Sequence, residues 1–125
     1  MMAQKILIAE DNTSLLNVLV DTFNDEGFDV KAAADGKEAL DITKEWMPDV
    51  ILLDILMPNM DGKEMLTNFR ALDGSKDTIV IVLTNSDDSQ QVLDLLSLEV
   101  SDYLTKADWE LEDIVKKVKE RLANR

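Results

Sequence analysis

Val50-Ile51-Leu52-Leu53-Asp54 is an unbroken apolar run that stops at a carboxylate. A short aliphatic run with no polar interruption fits a strand covered on both faces, because a half-exposed strand would alternate. Two more runs have the same character, Ile6 to Ala9 and Ile79 to Leu83. Phe28 to Ala33 and Val100 to Leu104 are more polar and suit the edges of a sheet. Between these runs lie helical patterns. Leu15, Leu16, Leu19, Val20 and Phe23 form one stripe, with Thr13 or Ser14 as the expected N-cap and Gly27 as the stop. Asp35 can cap a helix running to about Trp46, closed by Pro48. Met65, Leu66 and Phe69 place a third helix after Gly62. Val92, Leu93, Leu95 and Leu96 place a fourth after Asp87-Asp88-Ser89. Leu111, Ile114, Val115, Val118 and Leu122 give the clearest period, with Asp108 as expected cap.

Five strands, each followed by a helix, read as an α/β fold with one open parallel sheet and helices on both faces. Right-handed crossovers favour the flavodoxin-like (βα)5 doubly wound arrangement, strand order 2-1-3-4-5. At 125 residues the chain is expected to be a single domain spanning 1–125 with no output domain. A net charge of −13 argues against direct nucleic-acid binding, which needs clustered Lys and Arg. Cysteine is absent, which is compatible with a reducing, cytoplasmic setting. Histidine is absent too, so any site must run on carboxylates, hydroxyls and lysine. Ile6 to Ala9 is too short for a signal peptide or a membrane span, so no membrane partner is expected.

In such sheets ligands bind beyond the carboxyl ends of the strands, where the strand order reverses. The first run ends in Glu10-Asp11, the third in Asp54, the fourth in Thr84 and the fifth near Thr105-Lys106. Three carboxylates, a hydroxyl and an ammonium therefore meet on one rim. Two carboxylates about 4 Å apart repel by roughly 4 kcal/mol at an effective dielectric near 20. Unassisted, one of the three would have to protonate. A hard divalent cation, Mg²⁺ or Mn²⁺, cancels the repulsion and also neutralises a transferring phosphoryl group. Asp54 would be the nucleophile, Lys106 would hold a phosphoryl oxygen, and Thr84 would donate a hydrogen bond to another.

Glu10-Asp11, the stretch Asp54-Ile55-Leu56-Met57-Pro58-Asn59-Met60-Asp61-Gly62, Thr84, and Asp102-Tyr103-Leu104-Thr105-Lys106 together resemble the signature of response-regulator receiver domains. The resemblance covers the whole chain. It implies a two-component phosphorelay switch with Asp54 as phosphoacceptor, which catalyses only its own phosphorylation and dephosphorylation. It further implies Asp11 as a direct metal ligand, Glu10 acting largely through water, and the Leu56 backbone carbonyl completing the metal shell. Thr84 and Tyr103 would form the switch pair. The implied partners are a sensor histidine kinase or histidine phosphotransfer protein and a downstream protein target. The target would be met through the fourth helix, fifth strand and fifth helix.

Four positions depart from that pattern. Ala107 replaces the usual proline after the lysine, and a cis bond to a non-proline residue costs about 2.5–4 kcal/mol. A trans Lys106–Ala107 bond and a rearranged loop are therefore expected. Asn85 replaces a small residue, and Val100-Ser101 replaces a small pair. Leu56 and Ser86 occupy positions that tune phosphoryl lifetime in relatives, and an apolar Leu56 predicts slow self-dephosphorylation.

Each residue alone has a plainer reading. A lone Asp after a strand is most often a cap, Asp61-Gly62 a turn, and Thr84 a strand end. Tyr103, Trp46 and Trp109 read as packing, and Lys116, Lys117 and Lys119 as a solvated face. A receiver-like interaction module that is never phosphorylated is the main alternative, encouraged by Ala107. A metal-dependent aspartyl phosphatase would need an acid at Leu56. A flavin carrier would need a phosphate loop after the first strand, and a dinucleotide enzyme its glycine fingerprint.

Overall fold

The structure is a computed structural model that describes residues 3–85, 94–95 and 97–125. Five parallel strands form one sheet in the order β2-β1-β3-β4-β5, the arrangement the apolar runs predict. The strands are β1 (Lys5–Ala9), β2 (Asp29–Ala33), β3 (Val50–Leu53), β4 (Ile79–Thr84) and β5 (Asp102–Thr105). The helices are α1 (Thr13–Asp25), α2 (Gly36–Glu45), α3 (Gly62–Arg70) and a C-terminal helix (Leu111–Ala123). A 3-10 turn, Ser75–Asp77, leads into β4.

Alternation along the buried strands sorts side chains into two cores. Leu7, Ile51, Leu53, Val80 and Val82 pack on one face with Leu40, Met65, Leu66 and Phe69 of α2 and α3. Ile6, Ile8, Leu52, Ile81 and Leu83 pack on the other with Leu19 and Phe23 of α1 and with Ile114, Val115 and Val118 of the C-terminal helix. Strands β3 and β4 are buried throughout, whereas β2 and β5 keep exposed or half-exposed positions at the sheet edges.

Several boundaries differ from expectation. Asn12, not Thr13 or Ser14, caps α1, its side chain accepting from the Leu15 N–H at 3.0 Å. Asparagine leads the cap preferences and lies one residue nearer the strand end. Gly27 does end the helix region, at φ +88°. Asp108 does not cap the C-terminal helix, because its N–H closes a turn on the Thr105 carbonyl at 3.0 Å. The turn delays the helix, and Glu110 stands at the N-cap without a side-chain hydrogen bond. Glu112 and Asp113 in the first turn offset this by facing the positive end of the helix dipole. β5 starts at Asp102 rather than Val100, although the Ser101 N–H already bonds the Val80 carbonyl.

Of the fourth predicted helix, Asp94 and Leu95 are helical, and Leu95 is buried against the α2–α3 core. Asp87-Asp88-Ser89, Val92, Leu93 and Leu96, together with Ser86, lie outside the described residues. The Lys106–Ala107 bond is trans, as expected. Among the described residues no helix is long and apolar enough to cross a membrane.

Candidate functional site

The residue that follows each of three strands still bonds to the neighbouring strand. The Glu10 N–H donates to the Ala33 carbonyl at 3.0 Å, the Asp54 N–H to the Ala9 carbonyl at 2.9 Å, and the Lys106 N–H to the Thr84 carbonyl at 2.8 Å. The ladder therefore extends one residue past the formal strand ends and sets these side chains at fixed heights on the carboxyl rim. Glu10 and Asp54 are buried and Thr84 is wholly buried, while Asp11 is exposed.

Carboxylate oxygens of Glu10, Asp11 and Asp54 all lie within 4.8 Å of one another. Lys106 reaches into this group, its Nζ 2.6 Å from Glu10 Oε1 and 3.3 Å from Asp54 Oδ2. Replacing proline with alanine therefore leaves the ammonium at the site. Burial, with the adjoining Asp54, pushes the Glu10 carboxyl up to about 7 against the opposing pull of Lys106. Burial pulls the Lys106 ammonium down, yet Glu10 and Asp54 together hold it above its ordinary range. Burial disfavours the charged Glu10 carboxylate first, and the neighbouring Asp54 adds to the effect.

An all-oxygen donor set of three carboxylates, with neither imidazole nor thiolate, suits a hard divalent cation. Leu56, two residues past Asp54, is 56% exposed between buried Ile55 and Met57. Tyr103 is half-buried on β5, opposite Val82, and packs against the α2–α3 core. Asn85 is exposed next to Thr84. Trp46 and Trp109 are packing residues, as read, each with a lysine ammonium over its ring. Of the lysines read as a solvated face, Lys119 pairs with Glu26, the residue that follows α1.

Two features were not foreseen. The loop from Asp54 to α3 is tied to α2 by Asn59, whose Nδ2 donates to Asp35 at 2.7 Å. Pro58-Asn59 carries the usual turn signal, but nothing local names Asp35 as its partner. Arg70 ends α3 with its guanidinium on the carbonyls of Leu98, Ser75, Thr78 and Glu99, at 2.6–3.1 Å.

The model of the response regulator receiver domain matches residues 6–119. The DNA-binding response regulator MtrA of Mycobacterium tuberculosis is 33% identical over 121 residues, 97% of this chain and 51% of that protein. The chain thus spans about half the length of the curated relatives it matches. Their name carries DNA binding, so the expectation of no direct nucleic-acid partner finds no support in them. A CheY-like receiver domain protein from Methanospirillum hungatei superposes with a TM-score of 0.89 at 26% identity, covering 98% of this chain and 96% of that one. Chemotaxis protein CheY4 of Vibrio cholerae gives 0.88 at 28% identity, covering 95% and 98%. Fold, rim chemistry and matched span agree: the chain belongs to the response regulator receiver domain family.

Proposed function

We propose that this receiver domain takes a phosphoryl group onto Asp54 from a phosphohistidine, assisted by Mg²⁺ or Mn²⁺ held by Glu10, Asp11, Asp54 and the Leu56 carbonyl. The observation that carries the reading is the meeting of three carboxylates within 4.8 Å, with the Lys106 ammonium against two of them. When bound, the cation neutralises the acidic cluster and the charge on the phosphoryl group.

The chain's own residues do the rest. An Asp54 carboxylate oxygen forms the new P–O bond as the P–N bond of the phosphohistidine breaks, the electron pair returning to the imidazole nitrogen. Lys106, already 3.3 Å from Asp54, holds a phosphoryl oxygen. The Thr84 hydroxyl donates to another. Phosphorylation replaces one negative charge with roughly two. Each hydrogen bond to that charge contributes about 1.5–3 kcal/mol, enough to move a two-state equilibrium by one or two decades. Thr84 and Tyr103 carry the change to the surface of the fourth helical segment, β5 and the C-terminal helix, where the protein target docks. The trans Ala107 bond leaves Lys106 in reach of both acids, which weakens the case for an unphosphorylated module.

The test is to incubate the protein with Mg²⁺ and a small phosphodonor and then weigh it. Addition of one phosphoryl group that is lost in Asp54→Asn is the expected result. No addition with any divalent metal would overturn the proposal, and catalytic turnover of phosphate esters would replace it with a phosphatase.

A further inference from the structure

Asn59 sits at φ +66°, in the left-handed region that most side chains avoid and asparagine tolerates best. Around it the Met60 N–H donates to the Pro58 carbonyl at 2.7 Å, closing a three-residue turn. Strained backbone of this kind persists where its surroundings over-determine it. The surroundings here are the N-terminus of α2. Asn59 Nδ2 donates to Asp35 Oδ2 at 2.7 Å, and the Gly36 N–H donates to the Met60 carbonyl at 2.9 Å. The other Asp35 oxygen accepts from the Glu38 N–H at 2.8 Å, so one carboxylate both caps α2 and holds the turn. Those bonds, Glu38's first and Asn59's second, hold the Asp35 carboxyl below its ordinary range. The acceptor is therefore charged, and such hydrogen bonds are the stronger kind.

The approach is close. A Cβ on Gly36 would lie 2.1 Å from the Met60 carbonyl oxygen. At the base of the loop, the Gly62 N–H donates to the Ile55 carbonyl at 2.7 Å, and a Cβ on Gly62 would lie 2.5 Å from the Asp54 carbonyl oxygen. Ile55 and Met57 are sunk in the core, and Leu56 between them faces outward. The segment beside Asp54 is thus held by its base, by two buried side chains and by the Asn59 turn. Only the last hold is made by polar side chains.

We propose that Asn59 and Asp35 are positioning residues for the acidic site, their contact fixing the path of loop 55–61 and with it the backbone beside Asp54. The inference rests on the metal-assisted reading above. It assigns no contact with the ion to either residue. Both act through the Leu56 peptide.

The experiment titrates the full chain with Mn²⁺, following free ion by electron paramagnetic resonance, with urea unfolding in EDTA alongside. Asn59→Gly accepts the positive φ but removes the strut. Asp35→Ser still caps α2 but is too short to hold Asn59. Each is expected to weaken Mn²⁺ binding about tenfold, the scale seen when residues that orient metal ligands are lost. The double variant should be no worse than either single, as for two halves of one contact. Phe23→Leu, a core change under α1, supplies a destabilised control that should bind Mn²⁺ normally. Unchanged affinity in Asn59→Gly overturns the positioning role while leaving the metal reading intact. An equal loss in Phe23→Leu also overturns it, by tracing the effect to general stability. Should the unaltered chain bind no Mn²⁺, the reading of the site fails and the strut's role with it.

Discussion

Lys106 Nζ lies 2.6 Å from Glu10 Oε1, nearer than its 3.3 Å approach to Asp54, so the lysine spans two acids from different strands. The arrangement lets one ammonium offset part of the repulsion among three carboxylates. It does not offset the burial of Glu10, which, with the adjoining Asp54, keeps that carboxyl raised.

That raised carboxyl gives stability a pH dependence. Glu10 titrates near 7 in the folded chain against an ordinary 4.5, so the folded state binds more protons between those values. Stability in EDTA should therefore fall as pH rises from about 4.5 to 7, by an amount on the order of a few kcal/mol. Glu10→Gln should remove most of this fall. Urea midpoints of the two proteins at pH 5 and pH 8 decide it, and parallel profiles would contradict the assignment. Mg²⁺ should stabilise the unaltered chain more at pH 8 than at pH 5, because cation and proton compete for the same oxygens.

Asp11 is the exposed member of the cluster, so its effect should fall on metal binding and spare stability. Asp11→Asn should weaken Mg²⁺ binding at least tenfold by calorimetry while shifting unfolding free energy by less than about 0.5 kcal/mol, as surface changes do. A large loss of stability in EDTA would mean that Asp11 supports the fold instead.

The glycines should separate by surroundings. Gly62→Ala drives a Cβ against the Asp54 carbonyl and should cost about 2–4 kcal/mol, since the obstacle is backbone. Gly27→Ala meets nothing within 4 Å and suffers only from φ +88°, at about 1 kcal/mol. Equal denaturation midpoints for the two would refute the close-approach account.

Arg70 joins the end of α3 to the chain ahead of β4 and β5 through four carbonyls. Arg70→Ala leaves those acceptors short of donors and should cost about 2–3 kcal/mol. Arg70→Lys should recover less than half of that, because an ammonium cannot reproduce the planar fork. Full recovery by lysine would show that charge alone matters there.

The strands and the rim acids were legible because each depends on short-range pattern, whereas the strand order followed from the general rule for right-handed crossovers. Val50 to Leu53 is apolar over its whole length, and its end marks where a side chain leaves the core for the rim. Cap positions were less legible: Asn12 displaced Thr13 and Ser14, and a turn on Thr105 drew Asp108 away from the C-terminal helix. Neighbouring cap-formers compete within a few tenths of a kcal/mol, and the path of the preceding turn chooses among them.

By itself the sequence determined a parallel α/β sheet with Glu10, Asp11, Asp54, Thr84 and Lys106 at its carboxyl edge, since run lengths and run ends are local properties. Only the tertiary structure decided that Lys106 bonds to Glu10 across 96 positions, that burial raises Glu10, and that Asp35 holds Asn59 across 24. Such pairings turn on differences of an ångström in how packed elements meet, and hydrogen bonds and carboxylate repulsion are sensitive at that scale while hydrophobic patterning is not.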